Sequence, residues 1–113
     1  MPDPIAYKIL TTAEFDQLRR DGAFRGSAAD MADGFVHLSS GAQIAATLDT
    51  HYGGRTDLVI AAVDLARLGD RVRWEASRGG QMFPHLYGVL AMDAVIAAGP
   101  LRRAADGSVQ LPG

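Results

Sequence analysis

Six consecutive apolar residues, Leu58-Val59-Ile60-Ala61-Ala62-Val63, constrain this chain more than any other feature. A strand that is apolar at every position, rather than at every second one, predicts burial on both faces. The turn-forming stretch Gly54-Arg55-Thr56-Asp57 precedes it. At 113 residues the chain is sized for one domain, 1–113, with one core. Apolar residues make up 48% and charged residues 21%, which excludes global disorder. There is no cysteine, so disulfides, zinc–thiolate sites and a cysteine nucleophile are excluded.

Around that run the chain alternates between short strands and short helices. Ile5–Leu10 alternates, with Ile5, Tyr7 and Ile9 on one face and Ala6, Lys8 and Leu10 on the other. Thr11-Thr12-Ala13-Glu14 forms a capping box for a helix to about Arg20, stopped by Asp21-Gly22. Ala23–Asp33 reads as loop, and Phe35–Ser39 as a second strand. Ser40-Gly41-Ala42-Gln43 reads as a second capping box, with its helix ending near Tyr52. After Leu58–Val63 come a connection over Leu65–Asp70 and a short strand over Val72–Glu75. Ser77–Gln81 is a loop, and a strand follows over His85–Leu90. Met92-Asp93-Ala94 is a single turn, Val95–Leu101 a late strand, and Asp106-Gly107 a hairpin signal. Two modest helices lie in the first half and strands crowd the second, which predicts an α+β fold.

The composition also limits partners. The formal charge is −2, which argues against a phosphate backbone as partner, so nucleic acid is not expected. No apolar run approaches the length that spans a bilayer. Met1-Pro2-Asp3-Pro4 has neither the basic start nor the apolar stretch of a signal peptide, so a cytoplasmic location is expected. There is no G-x-G-x-x-G, P-loop, H-E-x-x-H or G-x-S-x-G motif. Three histidines without close helical spacing specify no metal site, and none is expected.

Two strands carry the candidate chemistry. Period two puts Phe35, His37 and Ser39 on one face of the first, and His85, Tyr87 and Val89 on one face of the second. Each strand thus offers a histidine with a hydroxyl two residues away. If the faces meet, with Lys8 beside them, they form a cleft able to give or take a proton near neutrality. Against this stands the ordinary role of a half-buried strand histidine with a satisfied hydrogen bond. His51 reads as a cation near a helix C-terminus. Trp74 reads first as core and Glu75 as a solvated carboxylate paired with Arg73 or Arg71, although Glu75 points to the side where it could reach the cleft. Ser39 and Ser40 begin a helix, where backbone N–H groups favour an anion.

Tyr7-Lys8-Ile9-Leu10, Asp33-Gly34-Phe35-Val36-His37-Leu38-Ser39, Val72-Arg73-Trp74-Glu75 and Phe83-Pro84-His85-Leu86-Tyr87-Gly88 resemble the family called domain of unknown function 952. The resemblance covers nearly the whole chain. That family in turn resembles the ADP-ribosyltransferases in fold. The resemblance implies an ADP-ribosyltransferase-like α+β architecture, two small, mainly antiparallel sheets about a cleft, and NAD or a related nucleotide as ligand. In that wider group the nicotinamide–ribose bond breaks through an oxocarbenium-like state that a nearby carboxylate stabilises. Together with the residue pattern above, the resemblance makes His37, His85 and Glu75 the catalytic candidates and Lys8, Ser39, Ser40, Trp74 and Tyr87 the ligand-binding candidates. Lys8 stands where many of those enzymes have histidine. The segment around His37 is similar to one in the tRNA 2′-phosphotransferases. A non-catalytic module for a small anion or nucleotide is the second expectation, and a purely structural role for the histidines the third.

Overall fold

The computed structural model describes residues 4–112. Residues 1–3, on which part of the N-terminal reading rests, lie outside them. The apolar run forms β4 (Leu58–Asp64), the middle strand of an antiparallel sheet between β1 (Ile5–Thr11) and β8 (Val95–Pro100). In register, Ile9 faces Ile60 and Thr11 faces Leu58. Ala61 and Val63 join a cluster with Leu10, Leu18, Phe24 and Leu86, while Leu58 and Ile60 join another with Ile9, Ile44 and Leu48. Both faces of β4 are therefore covered, as the unbroken apolar run predicts. A bulge after Ala62 shifts the pairing with β8, and Ile96 there is half exposed.

Helix α1 (Thr12–Asp21) begins at the expected box. The Thr11 hydroxyl accepts from the Glu14 N–H at 3.1 Å, and the Glu14 carboxylate accepts from the Thr11 N–H at 2.8 Å. Gly22, at φ 76°, closes it in the left-handed conformation open to glycine. The segment expected to be loop holds two elements instead, β2 (Ala23–Phe24) and α2 (Ala28–Asp33). A second reciprocal box, Ser27 with Asp30, is the reason α2 exists. β3 (Val36–His37) follows. α3 starts late, at Ile44–His51, after a turn. Its Gln43 cap makes no side-chain bond to the helix, and Ser40 does not cap it. The Gln43 carboxamide instead accepts from the Ser40 N–H at 3.0 Å and donates to the Met82 carbonyl at 2.7 Å.

The connection after β4 contains one helical turn, α4 (Leu65–Leu68), capped by the Asp64 carboxylate. β5 (Val72–Ala76), β6 (Met82–Leu86) and β7 (Leu90–Ala91) complete the strands. The expected strand over His85–Leu90 is thus divided: β6 starts earlier, and Tyr87–Val89, with Gly88 at φ 156°, separate it from β7. Met92–Ala94 forms the expected single turn, and Arg103 bridges Val109 across Asp106-Gly107.

The architecture is α+β with small antiparallel sheets: β1-β4-β8, β3-β6-β5 and the two-stranded β2-β7. That is one sheet more than the two expected, because β2 pairs with β7 rather than remaining loop. A reciprocal pair of backbone bonds joins the two larger sheets: Tyr7 N–H to the Ser39 carbonyl at 2.7 Å, and Ser39 N–H to the Tyr7 carbonyl at 2.9 Å. No helix among the described residues is long and apolar enough to cross a membrane.

Candidate functional site

A cavity of about 490 Å³ lies along this junction. β1 supplies Tyr7, Lys8 and Ile9 to its wall; α2 supplies Asp30 and Asp33; β3 and the residues after it supply His37 and Ser39. His85 comes from β6, and Thr47, His51 and Tyr52 from α3 and its end.

Cross-strand register brings the two predicted histidines together. His37 on β3 lies directly opposite His85 on β6, with ring centroids 5.9 Å apart. Phe35 lies flat against His85, centroids 3.9 Å apart and planes 20° from parallel. The faces assigned from period two therefore do meet.

Each histidine leans on a carboxylate, in a different way. Asp30, 2% exposed, accepts four hydrogen bonds. Its Oδ2 takes Lys8 Nζ at 2.9 Å and the Ser27 N–H at 3.0 Å; its Oδ1 takes the His37 N–H at 3.1 Å and His37 Nδ1. Both carboxylate oxygens are saturated. Burial pushes the Asp30 carboxyl up. The His37 hydrogen bond, the Lys8 charge and the Ser27 N–H outweigh it and hold the group well below the usual carboxylate range. Gly26 makes room for this arrangement, since a Cβ there would sit 2.8 Å from Asp30 Cβ. The other ring nitrogen of His37 meets Asp33 Oδ2 at 2.9 Å. Lys8 also donates to the His37 carbonyl at 3.1 Å.

His85 is 5% exposed, and its Nδ1 meets Glu75 Oε1 at 2.8 Å. The same oxygen accepts from the Tyr87 hydroxyl at 2.7 Å. The Tyr87 bond first, then the His85 bond, lower the Glu75 pKa, and the Tyr87 pKa rises in return. No buried side-chain N or O among the described residues lacks a hydrogen bond, and His85 Nε2 has no protein partner among them. That nitrogen is therefore not sealed in, and His85 is one of the residues lining the cavity.

Glu75 is solvated as expected, but its hydrogen bonds go to His85 and Tyr87 rather than to Arg73 or Arg71; Arg73 lies over the Tyr87 ring at 5.3 Å. Tyr87, whose ring faces Arg73 and Phe35, stands outside the cavity wall. Trp74 pairs with Pro84 across β5 and β6 and is half-buried, also away from the wall. Ser40 is buried and is not part of it. Ser39 does line the cavity, its hydroxyl 3.2 Å from Thr47 Oγ1. His51, read from sequence as structural, lines it too. Asp30 and Asp33 were missed by the sequence reading. The signal for Asp30 was the spacing Ser27-Ala28-Ala29-Asp30. Tyr52 was likewise missed; burial, then the Glu14 and Asp30 carboxylates, raise its pKa, so its hydroxyl is a neutral donor.

No curated protein matches this chain. It is similar to protein CC0527 from Caulobacter crescentus. The X-ray structure of that protein is 46% identical, with a TM-score of 0.84 over 94% of this chain and 93% of that one. Its solution NMR structure is 45% identical, with a TM-score of 0.80 over 95% of this chain and 91% of that one. Residues 9–98 match the family described as protein of unknown function DUF952, and the chain belongs to that family.

Proposed function

We propose that the cavity binds NAD or a related nucleotide and that His85 moves a proton at the bound ligand. One observation carries this reading. His85 is buried, held by Glu75 at 2.8 Å, and lines a cavity of about 490 Å³ with its second nitrogen unpartnered among the described residues. A carboxylate on Nδ1 fixes the tautomer that leaves Nε2 as acceptor, and it stabilises the ring once that nitrogen gains a proton. The cavity lies in the size range of small-ligand sites, and Tyr7 and Tyr52 put aromatic rings in its wall. The resemblance to the ADP-ribosyltransferase-like fold supports NAD as the ligand, and a bound NAD would supply the labile nicotinamide–ribose bond. Glu75 is the positioning residue. The His37 assembly holds the wall in place, because both its ring nitrogens are engaged by carboxylates.

The full engagement of His37 also favours the second reading, a module that binds without turnover. Titration of NAD followed by imidazole NMR tests both. His85 signals should shift at millimolar NAD, and His85→Ala should lose the binding; an unmoved His85 overturns the proposal. Product on long incubation selects the enzyme, and its absence selects the binding module.

A further inference from the structure

Three features of the wall bear on which part of a nucleotide could enter. The first is charge. Among the described residues, Lys8 is the one lysine or arginine of the wall, and Asp30 already holds its ammonium at 2.9 Å. Asp33 adds a second carboxylate. Among the described residues, a phosphate placed inside would meet two carboxylates, and no lysine or arginine of the wall is free of a carboxylate partner to answer it.

The second feature is the backbone. Helix starts are ready-made anion sites when their N–H groups are open. Here the chain's own acceptors already take several of them. The Asp30 carboxylate takes the Ser27 N–H at the start of α2. Before α3, the Gln43 amide oxygen takes the Ser40 N–H and the Ser40 carbonyl takes the Gln43 N–H. The Ser40 and Gln43 N–H groups, next to the expected anion site, are thus taken.

The third is what the wall does offer: aromatic rings and hydroxyl oxygens. Tyr7 and Tyr52 supply rings, and the Ser39–Thr47 pair supplies hydroxyl oxygens; the Thr47 hydroxyl donates to the Gln43 carbonyl at 3.0 Å, which leaves its oxygen an acceptor. Such a wall suits a flat heterocycle joined to a sugar, neutral or cationic.

From this we infer that the cavity takes the nucleoside portion of its ligand and leaves every phosphate outside. The inference rests on the nucleotide reading above and narrows it, since it discards the small-anion ligand.

Calorimetric and imidazole-NMR titrations with nicotinamide riboside, nicotinamide mononucleotide and inorganic phosphate test it. The riboside and mononucleotide differ by one phosphate. The expected result is that the riboside shifts His85, that the mononucleotide binds no tighter, and that excess phosphate does not displace the riboside. Asp33→Asn should strengthen the mononucleotide relative to the riboside by a few-fold, because one repelling charge is gone. A mononucleotide bound about tenfold tighter than the riboside, a difference of ~1.4 kcal/mol, or displacement by phosphate, overturns the inference and leaves the nucleotide reading standing. Failure of riboside and mononucleotide alike to reach His85 overturns both.

Discussion

The two histidines face each other across adjacent strands, and each holds a carboxylate, yet their surroundings are opposites. Around His37 the acid is the buried partner: Asp30 is 2% exposed, and its four hydrogen bonds come from three different segments of the chain. Around His85 the imidazole is the buried partner, and the acid, Glu75, reaches solvent. A saturated buried carboxylate is a structural joint. Changing its protonation would strand Lys8, so it is poorly suited to move protons. A buried imidazole with an accessible acid and one open nitrogen can change protonation without dismantling its neighbours. The pair shows how one residue type, on one sheet face, serves two ends by burying different partners.

The comparison is broken most severely at Asp30. Asp30→Ala should cost about 3–5 kcal/mol of unfolding free energy, because the Lys8 ammonium is left buried and unpaired. Denaturant unfolding measures it, and Lys8→Met added to Asp30→Leu should recover much of the loss. A single variant as stable as the parent refutes the joint. A smaller effect is expected in acid. The folded-state pKa of Asp30 lies below that of the unfolded chain, about 3.9. Its stabilisation is complete above that value and fades as pH falls toward the folded one. Unfolding midpoints measured from neutrality into strong acid should therefore drop more steeply for the parent than for Asp30→Asn. The smallest stability change is expected for Glu75→Gln, whose midpoint should stay near the parent's while the His85 ring signals lose the ligand response of the parent. A large loss of stability in Glu75→Gln would instead make the His85 side a second joint.

How far the sequence reached follows from the same contrast. Leu58–Val63 and the Thr11–Glu14 box were legible because each states its own burial or its own capping within a few residues. The facing histidines were legible because period two survives in short strands. Helix α2 was not legible: Asp30 is its only buried residue, so it presents no apolar stripe to detect. Its Ser-x-x-Asp spacing was the one available signal. The Glu75–His85 contact was hidden because it runs diagonally between strands, and its register is set by tertiary pairing. Local charge pairing pointed to Arg73 instead, which the Tyr87 ring takes. Lys8 could be placed on its face of β1, yet nothing local names a partner 22 residues away.

The reciprocal bonds between Tyr7 and Ser39 are a seam between two sheets, and the cavity wall contains both residues. Whatever occupies the cavity touches both sides of that seam and is lost when the sheets part. Occupancy is therefore coupled to unfolding of the molecule as a whole. A ligand at about a hundred times its dissociation constant adds about 2.7 kcal/mol to the free energy of unfolding. Heat thus becomes a reporter of binding, and a melting curve can sort candidate compounds before any reaction is known.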